Sequence, residues 1–404
     1  MKKQQRLFRY IALWVPLGLL LGICGGGVGV LFSLCVGVVT DLRIANGWLI
    51  CLLPLAGMLS VLLYRLLHTQ GMGTNQVLKS TRGENQLSPL LAPAIFIASV
   101  LSHLCGASVG REGAALQLGG SIATGVGQLF RLTQEQRRCL VYSGMAALFS
   151  ALFGTPLSAF IFALEVVWTG HICLRAVFPA LLASLTAYGT SLLLGGHAER
   201  FPLTAPPFSW ETAGKLLLIA IASSLVAWCF CRLLSLSEHG LKKVLKNEYL
   251  RIVVGGVLLI ALTALVGHQE YNGAGVPIIH RVFAEGEVHY EAFLLKMLFT
   301  CIAVGTGFKG GEIVPTLFIG ATFGGAAALL LGVSPAIGAA VGLTALFCGV
   351  TNCPIASALL AVELFGGVGF GYTIPAAFIA FFLSGRISLY AAQQRDRLRD
   401  MFRK

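Results

Sequence analysis

A chain of 404 residues that is 56% hydrophobic and only 11% charged is not a soluble globular protein, because such proteins carry about a quarter of their residues as charges. Its formal net charge of +12 is dispersed over the ends of apolar runs rather than gathered into a patch, which excludes a nucleic-acid binder. The eleven cysteines have no metal-ligand spacing and read as small hydrophobes in lipid, so no metal site is expected.

The first apolar run, 10–40, follows Lys2, Lys3, Arg6 and Arg9. It is long and has no small-residue cleavage site, so it reads as a membrane segment rather than a leader. A second run, 47–64, is followed by Gly71-Met72-Gly73-Thr74-Asn75, the first of three Gly-rich interruptions. The third run, 90–110, delivers the most informative segment, Gly110-Arg111-Glu112-Gly113. Residues 94–109 contain no Asp, Glu, Lys or Arg and a single His103, and 114–130 contain no ionisable side chain. Charges placed that deep are costly and mark ion or proton pathways. A structural ion pair is the alternative, weakened because adjacent residues on a helix do not face one another. His103 reads as packing.

Runs at 141–168 and 176–195 follow, the former containing Gly154-Thr155-Pro156-Leu157-Ser158 and, further on, Glu165. After runs at 216–231, 252–267 and 297–307 comes the third interruption, Gly305-Thr306-Gly307-Phe308-Lys309-Gly310-Gly311-Glu312-Ile313-Val314-Pro315. Runs at 316–334 and 338–383 complete the series, the last holding Thr351-Asn352-Cys353-Pro354-Ile355 and Glu363. Several runs are too short for a clean span and others are long and broken, which predicts tilted, interrupted helices in an all-α polytopic membrane protein. Lys242, Lys243, Lys246 and Arg251 in the linker 238–251, and Arg395, Arg397, Arg399, Arg403 and Lys404 after the last run, place that linker and both termini in the cytoplasm.

The chain echoes itself. Pro156 precedes Glu165 by the same spacing as Pro354 precedes Glu363, and Glu112-Gly113 with Leu118-Gly119 parallels Ile313-Val314 with Ile319-Gly320. Internal repeats with a site at their interface are a hallmark of secondary transporters. Helix starts after Gly-rich segments present unpaired N–H groups and a positive dipole end, so several converging hold an anion without a full positive charge. Glu112 at such a start can take the anion's place and leave it on protonation. Glu312, a second carboxylate at a helix start, either relays the proton inward or pairs with Lys309. There is no Gly-x-Ser-x-Gly or His-Glu-x-x-His pattern, which argues against an enzyme.

These motifs resemble the CLC family of chloride channels and anion/proton antiporters. Gly110-Arg111-Glu112-Gly113 with Gln117 resembles the family's gating-glutamate motif, and Gly310-Gly311-Glu312-Ile313-Val314-Pro315 the motif opening a later helix at the anion site. Gly154 through Glu165 resembles its Pro-led helix, and Tyr390 falls where the family places a tyrosine hydroxyl beside the central anion. Met72 in place of the usual serine, the Phe308-Lys309-Gly310-Gly311-Glu312 segment, and Val166 in place of a second proton glutamate are most similar to the bacterial fluoride/proton antiporter branch. Val314 departs from it where some members carry threonine, as does Gln76-Val77-Leu78 where some carry phenylalanines.

The resemblance implies a CLC-type fold of two inverted repeats, about 10–195 and 210–392, in one transmembrane domain spanning 1–404 without a cytoplasmic regulatory domain. It implies a homodimer in the bacterial inner membrane, without cofactor, exporting fluoride in exchange for protons. A chloride/proton antiporter or a passive anion channel is the alternative. Glu112 is then the gate and proton carrier. Met72, Gly73, Asn75, Gly110, Arg111, Gly113, Ile313, Val314 and Tyr390 bound the ion path, with Asn75 serving either the anion or the turn. Glu165 and Glu363 are expected to bond backbone N–H groups of neighbouring broken helices.

Overall fold

The computed structural model describes residues 2–395. Arg397, Arg399, Arg403 and Lys404 lie outside the described residues, as do the side chains of Lys2, Lys3 and Arg6. Sixteen α-helices, with a 3-10 turn (Gly47–Leu52) between the first two, make up the fold among the described residues. They are α1 (Lys2–Ala45), α2 (Leu53–Leu66), α3 (Thr74–Arg82), α4 (Leu91–Cys105), α5 (Glu112–Leu129), α6 (Gln134–Phe153), α7 (Pro156–Glu165) and α8 (Leu174–Leu193). The second eight are α9 (Trp210–Val244), α10 (Glu248–Val266), α11 (Val276–Ala284), α12 (Ala292–Thr306), α13 (Ile313–Leu330), α14 (Pro335–Thr351), α15 (Pro354–Leu364) and α16 (Phe370–Leu383). Short strands β1 (Trp168–Thr169) and β2 (Gln394–Arg395) pair in parallel.

The two sets of eight match in order. α3 and α11 have 9 residues each, α4 and α12 have 15, and α5 and α13 have 18. Close packing recurs at matching positions: a Cβ on Gly119 would meet the Gly144 carbonyl at 2.0 Å, and one on Gly320 would meet the Gly342 carbonyl at 2.7 Å. Bare glycine pairs of this kind let helices approach closely in lipid, where packing rather than hydrophobicity drives association. They join α5 to α6 and α13 to α14.

The helices come in two lengths. Six, or helix-plus-turn segments, are long and apolar enough to span a membrane, and six further apolar helices have 10–17 residues. The run 338–383 is divided where Asn352 adopts φ 54° ahead of Pro354, and again by the positive-φ glycines 366, 367 and 369. Conversely, Pro16 and Gly25-Gly26-Gly27 do not interrupt α1. A Cβ at Gly25 would meet Ala147 at 2.8 Å and one at Gly26 would meet Thr190 at 2.6 Å, so those two glycines serve packing against α6 and α8.

α7 and α15 lie antiparallel and cap each other. Glu363 accepts from the N–H groups of Leu157 (3.0 Å) and Ser158 (2.8 Å), and Glu165 accepts from those of Ile355 (3.3 Å) and Ala356 (2.8 Å). Each helix begins with proline, which has no N–H to satisfy, so the partner's carboxylate takes the next two donors. Glutamates deep in apolar sequence thereby acquire a structural role. Glu165→Ala strips two buried donors of their acceptor, and a loss of about 2–4 kcal/mol is expected. A lower unfolding midpoint in detergent, with unchanged activity per folded molecule, is the predicted result; unaltered stability would remove the capping role.

Candidate functional site

Where helices begin decides what their first N–H groups meet. Three that begin outside the apolar runs are closed by side-chain caps. Thr133 and Gln136 form a capping box on α6, Ser209 accepts from the Thr212 N–H on α9, and Asn247 accepts from the Tyr249 and Leu250 N–H groups on α10. The starts of α3, α5 and α13 have Gly73, Arg111 and Glu312 at the cap position, with no side-chain cap. Their first-turn donors are left for another partner.

The starts of α5 and α13 meet, and the start of α3 is tied to α5 further along that helix. Gly110 and Gly311 form an isolated antiparallel bridge, each N–H donating to the other's carbonyl at 2.6 Å, just ahead of α5 and α13. A Cβ on Gly113 would sit 2.5 Å from the Gly311 Cα, and one on Gly311 would sit 2.2 Å from the Gly113 nitrogen. Only glycine allows this approach. Gln117 on α5 reaches α3 by donating to the Thr74 hydroxyl at 3.2 Å.

A cavity lies on each side of the bridge. One, of about 280 Å³, is lined by Glu312, Tyr390, Met72, Gly73, Thr74, Asn75 and Gln117, and opens among Glu238, Lys242, Glu248 and Arg251. The other, of about 590 Å³, is lined by Glu112, Arg111, His103, Arg43, Glu199, Glu270 and Arg281. The first takes in Val61 and Tyr64 from the end of α2, and the second takes in Gly47 from the turn before that helix begins. They therefore lie at opposite ends of a 14-residue helix, about 20 Å long. One glutamate stands at the floor of each.

Glu112 is the first residue of α5 and is 2% exposed. Its Oε1 accepts from Arg111 Nε at 3.0 Å, and its Oε2 has no partner. This pairing overturns the expectation that neighbours cannot face one another, because Arg111 is the N-cap and not part of the helix. Arg111 is nonetheless shared. It donates to Ser33 Oγ at 2.6 Å and to Glu199 at 2.9 Å. Glu199, on the loop after α8, also has His280 at 3.8 Å. Burial opposes ionisation of Glu199, but His280 and Arg111 outweigh it and hold the carboxyl below its ordinary range. The arginine thus has a second, ionised partner and need not hold Glu112 permanently.

Glu312 likewise keeps an unpartnered, buried Oε2, which would stand 3.3 Å from a Cβ on Gly113. It does not pair with Lys309, whose ammonium sits 4.4 Å from the centre of the Tyr64 ring. Tyr390 is 3% exposed and its hydroxyl has no partner. Its loop is fastened where Asn75 Oδ1 accepts from the Ala392 N–H at 2.9 Å. Asn75 therefore positions the Tyr390 loop with its oxygen, leaving only its amide N–H groups for an ion. Ile313 and Val314 are buried in the first turn of α13, with Val314 against Gly110, and line neither cavity. Gly110 and Gly113 belong to the barrier between the cavities.

Three basic residues at this site escaped the sequence reading. His103 is more than packing: its Nδ1 lies 2.8 Å from the Ser99 carbonyl, its Nε2 has no partner, and it lines the cavity of Glu112. Arg43 lines the same cavity. Lys296, fully buried, donates to the carbonyls of Tyr271 (3.0 Å) and Gly273 (2.6 Å). His103 sits inside an apolar run and Lys296 at the edge of one, a signal that could have singled them out; the burial of Arg43 and the partners of Glu199 come only from the fold.

Residues 55–386 match the family model described as voltage gated chloride channel. The chain is 34% identical, over 97% of its own length and 88% of the relative's, to a chloride/fluoride channel protein of Pseudomonas syringae pv. tomato. Among solved structures, a CLC-type fluoride/proton antiporter superposes with a TM-score of 0.91 at 31% identity, covering 96% of this chain and 98% of that one. A slow cyanobacterial Cl-/H+ antiporter shares the fold at 21% identity and a TM-score of 0.78, covering 92% and 93%. With sixteen helices among the described residues in two sets that match in order, and two uncapped helix starts meeting at a glycine bridge, this chain belongs to the voltage gated chloride channel, or CLC, family.

Proposed function

We propose that this protein exports fluoride in exchange for protons across a bacterial inner membrane, with Glu112 as the gate and proton carrier. One observation carries the reading: two cavities are separated by a glycine bridge, and each ends on a glutamate with a buried, unpartnered oxygen. Uncapped N–H groups of α3, α5 and α13 stabilise an anion there, as preorganised dipoles in a site shielded from water. A protonated Glu112 swings clear of the path, and an ionised one occupies it. The solved neighbour described as a fluoride/proton antiporter supports this ion, and the relative's name carries chloride and fluoride alike. Hydrogen fluoride crosses bilayers as a neutral acid and dissociates inside, so proton entry is a suitable driving force for export.

The cavity of Glu312 faces the cytoplasm in this reading. It opens beside the linker 238–251, whose Lys242, Lys243, Lys246 and Arg251 mark a cytoplasmic segment. The repeats are 10–195 and 210–392, and the working unit is a homodimer with a pore in each subunit. Fluoride and chloride efflux from proteoliposomes, recorded in parallel, test the substrate. Fluoride is expected to leave far faster, and rapid chloride efflux would move the protein to the chloride transporters.

The bridge also yields a prediction. Gly113→Ala forces a Cβ against the Gly311 backbone at 2.5 Å and displaces the start of α5. Fluoride efflux is expected to fall about 100-fold, the scale of an ångström-level misplacement; wild-type rates would show that the close approach is dispensable.

A further inference from the structure

Arg43 is a buried cation that the mechanism does not use. Arg43, at the end of α1, is 5% exposed, yet its Nε and Nη1 have no hydrogen-bond partner among the described residues. The guanidinium is packed against Gly106 and Gly273, where an added Cβ would meet Nη1 at 3.1 and 2.9 Å. The carbonyls of those two glycines already accept from Asn272 Nδ2 (2.9 Å) and Lys296 Nζ (2.6 Å). Of the carboxylates lining the same cavity, Glu199 is engaged with Arg111 and Glu270 with Arg281, and neither Asp41 nor Glu112 pairs with Arg43 among the described residues. A buried guanidinium without a counter-ion is costly, and unmet donors add to the cost. An anion from solution relieves both.

The cavity that Arg43 lines ends on Glu112. His103 lines it as well and is 1% exposed. Its Nδ1 faces a carbonyl, which can only accept, so Nδ1 carries the hydrogen and the unpartnered Nε2 is an acceptor. A water donating one hydrogen to Nε2 has its other hydrogen free for an anion at Arg43.

We propose that Arg43 and His103 form an outer waiting site, in which a fluoride ion beyond Glu112 is held by the guanidinium and by a water fixed on the imidazole. The ion leaving past Glu112 is received here before it leaves the cavity, so the site adds to the centre and does not replace it. The choice of fluoride rests on the function proposed above; the positive, hydrogen-bond-donating chemistry rests on Arg43.

Calorimetric titration of the purified full chain with sodium fluoride, and separately with sodium chloride, tests the site. Arg43→Gln is expected to bind one fluoride fewer per chain, or to bind it about tenfold more weakly, as befits loss of charge-assisted hydrogen bonds. Arg43→Lys keeps the charge and is expected to stay within about threefold of wild type. A folded Arg43→Gln with the wild-type isotherm overturns the proposal. If Arg43→Gln does not fold, His103→Leu decides: about threefold weaker binding supports the site and an unchanged isotherm overturns it. A wild type that binds chloride but not fluoride, with the chloride lost in Arg43→Gln, overturns the fluoride reading and keeps the site. Fluoride binding by wild type that Arg43→Gln leaves intact removes the site alone.

Discussion

Glu112→Gln is expected to abolish proton-driven fluoride export and to slow coupled exchange by at least about 100-fold, the contribution of a positioned proton-transfer group. Glutamine keeps the shape and can still accept from Arg111, but it cannot gain or lose a proton. The carboxylate is suited to that task by asymmetry: Oε1 is held at 3.0 Å by Arg111, and Oε2 is left without a partner. Because Arg111 is also held by Glu199 at 2.9 Å, protonation of Glu112 leaves the arginine with a carboxylate still bound. The measurement is fluoride accumulation against its gradient under an imposed pH difference. Normal uphill movement in the glutamine variant would end the assignment of Glu112 as gate.

Glu312→Gln is expected to separate the two ions. Glu312 lines the cavity with Tyr390 and Met72, and its unpartnered Oε2 lies toward Gly113 at the start of α5, 3.3 Å from where a Cβ there would stand. Of the carboxylates lining that cavity, Glu312 has the buried, unpartnered oxygen, whereas Glu238 is paired with Lys242 and Glu248 with Arg65. Without Glu312, downhill fluoride movement should persist within about tenfold of wild type while proton counter-movement falls by at least that factor. The ratio of protons to fluoride, taken from simultaneous pH and fluoride electrodes, reads this directly. An unchanged ratio would place the inner acceptor elsewhere.

The centre of the site was legible because its signals are local. Charged residues set between glycines in apolar sequence mark Glu112 and Glu312, and the echo of Glu112-Gly113 with Ile313-Val314 corresponds to two 18-residue helices that start side by side. The spacing of Pro156 to Glu165 and of Pro354 to Glu363 translates into the reciprocal caps, since a helix of that length brings each carboxylate to its partner's first turn. What stayed hidden depends on long-range contacts. Ser33 and Glu199 reach Arg111 across 78 and 88 positions, and nothing near them in sequence announces the meeting. The Arg111–Glu112 pair was misjudged by applying helix-interior geometry to a cap. His103 was read as an ordinary core residue, although a histidine left with a bare ring nitrogen on a cavity wall is distinguished by its surroundings and not by its neighbours in the chain.

The most direct test of coupled exchange is the pH inside sealed, weakly buffered proteoliposomes loaded with fluoride and diluted into fluoride-free medium. Movement of fluoride outward is predicted to drive protons inward against an opposing pH gradient, and to stop doing so with Glu112→Gln. Fluoride efflux that runs to completion with no proton movement would contradict the account and make the protein a passive anion channel.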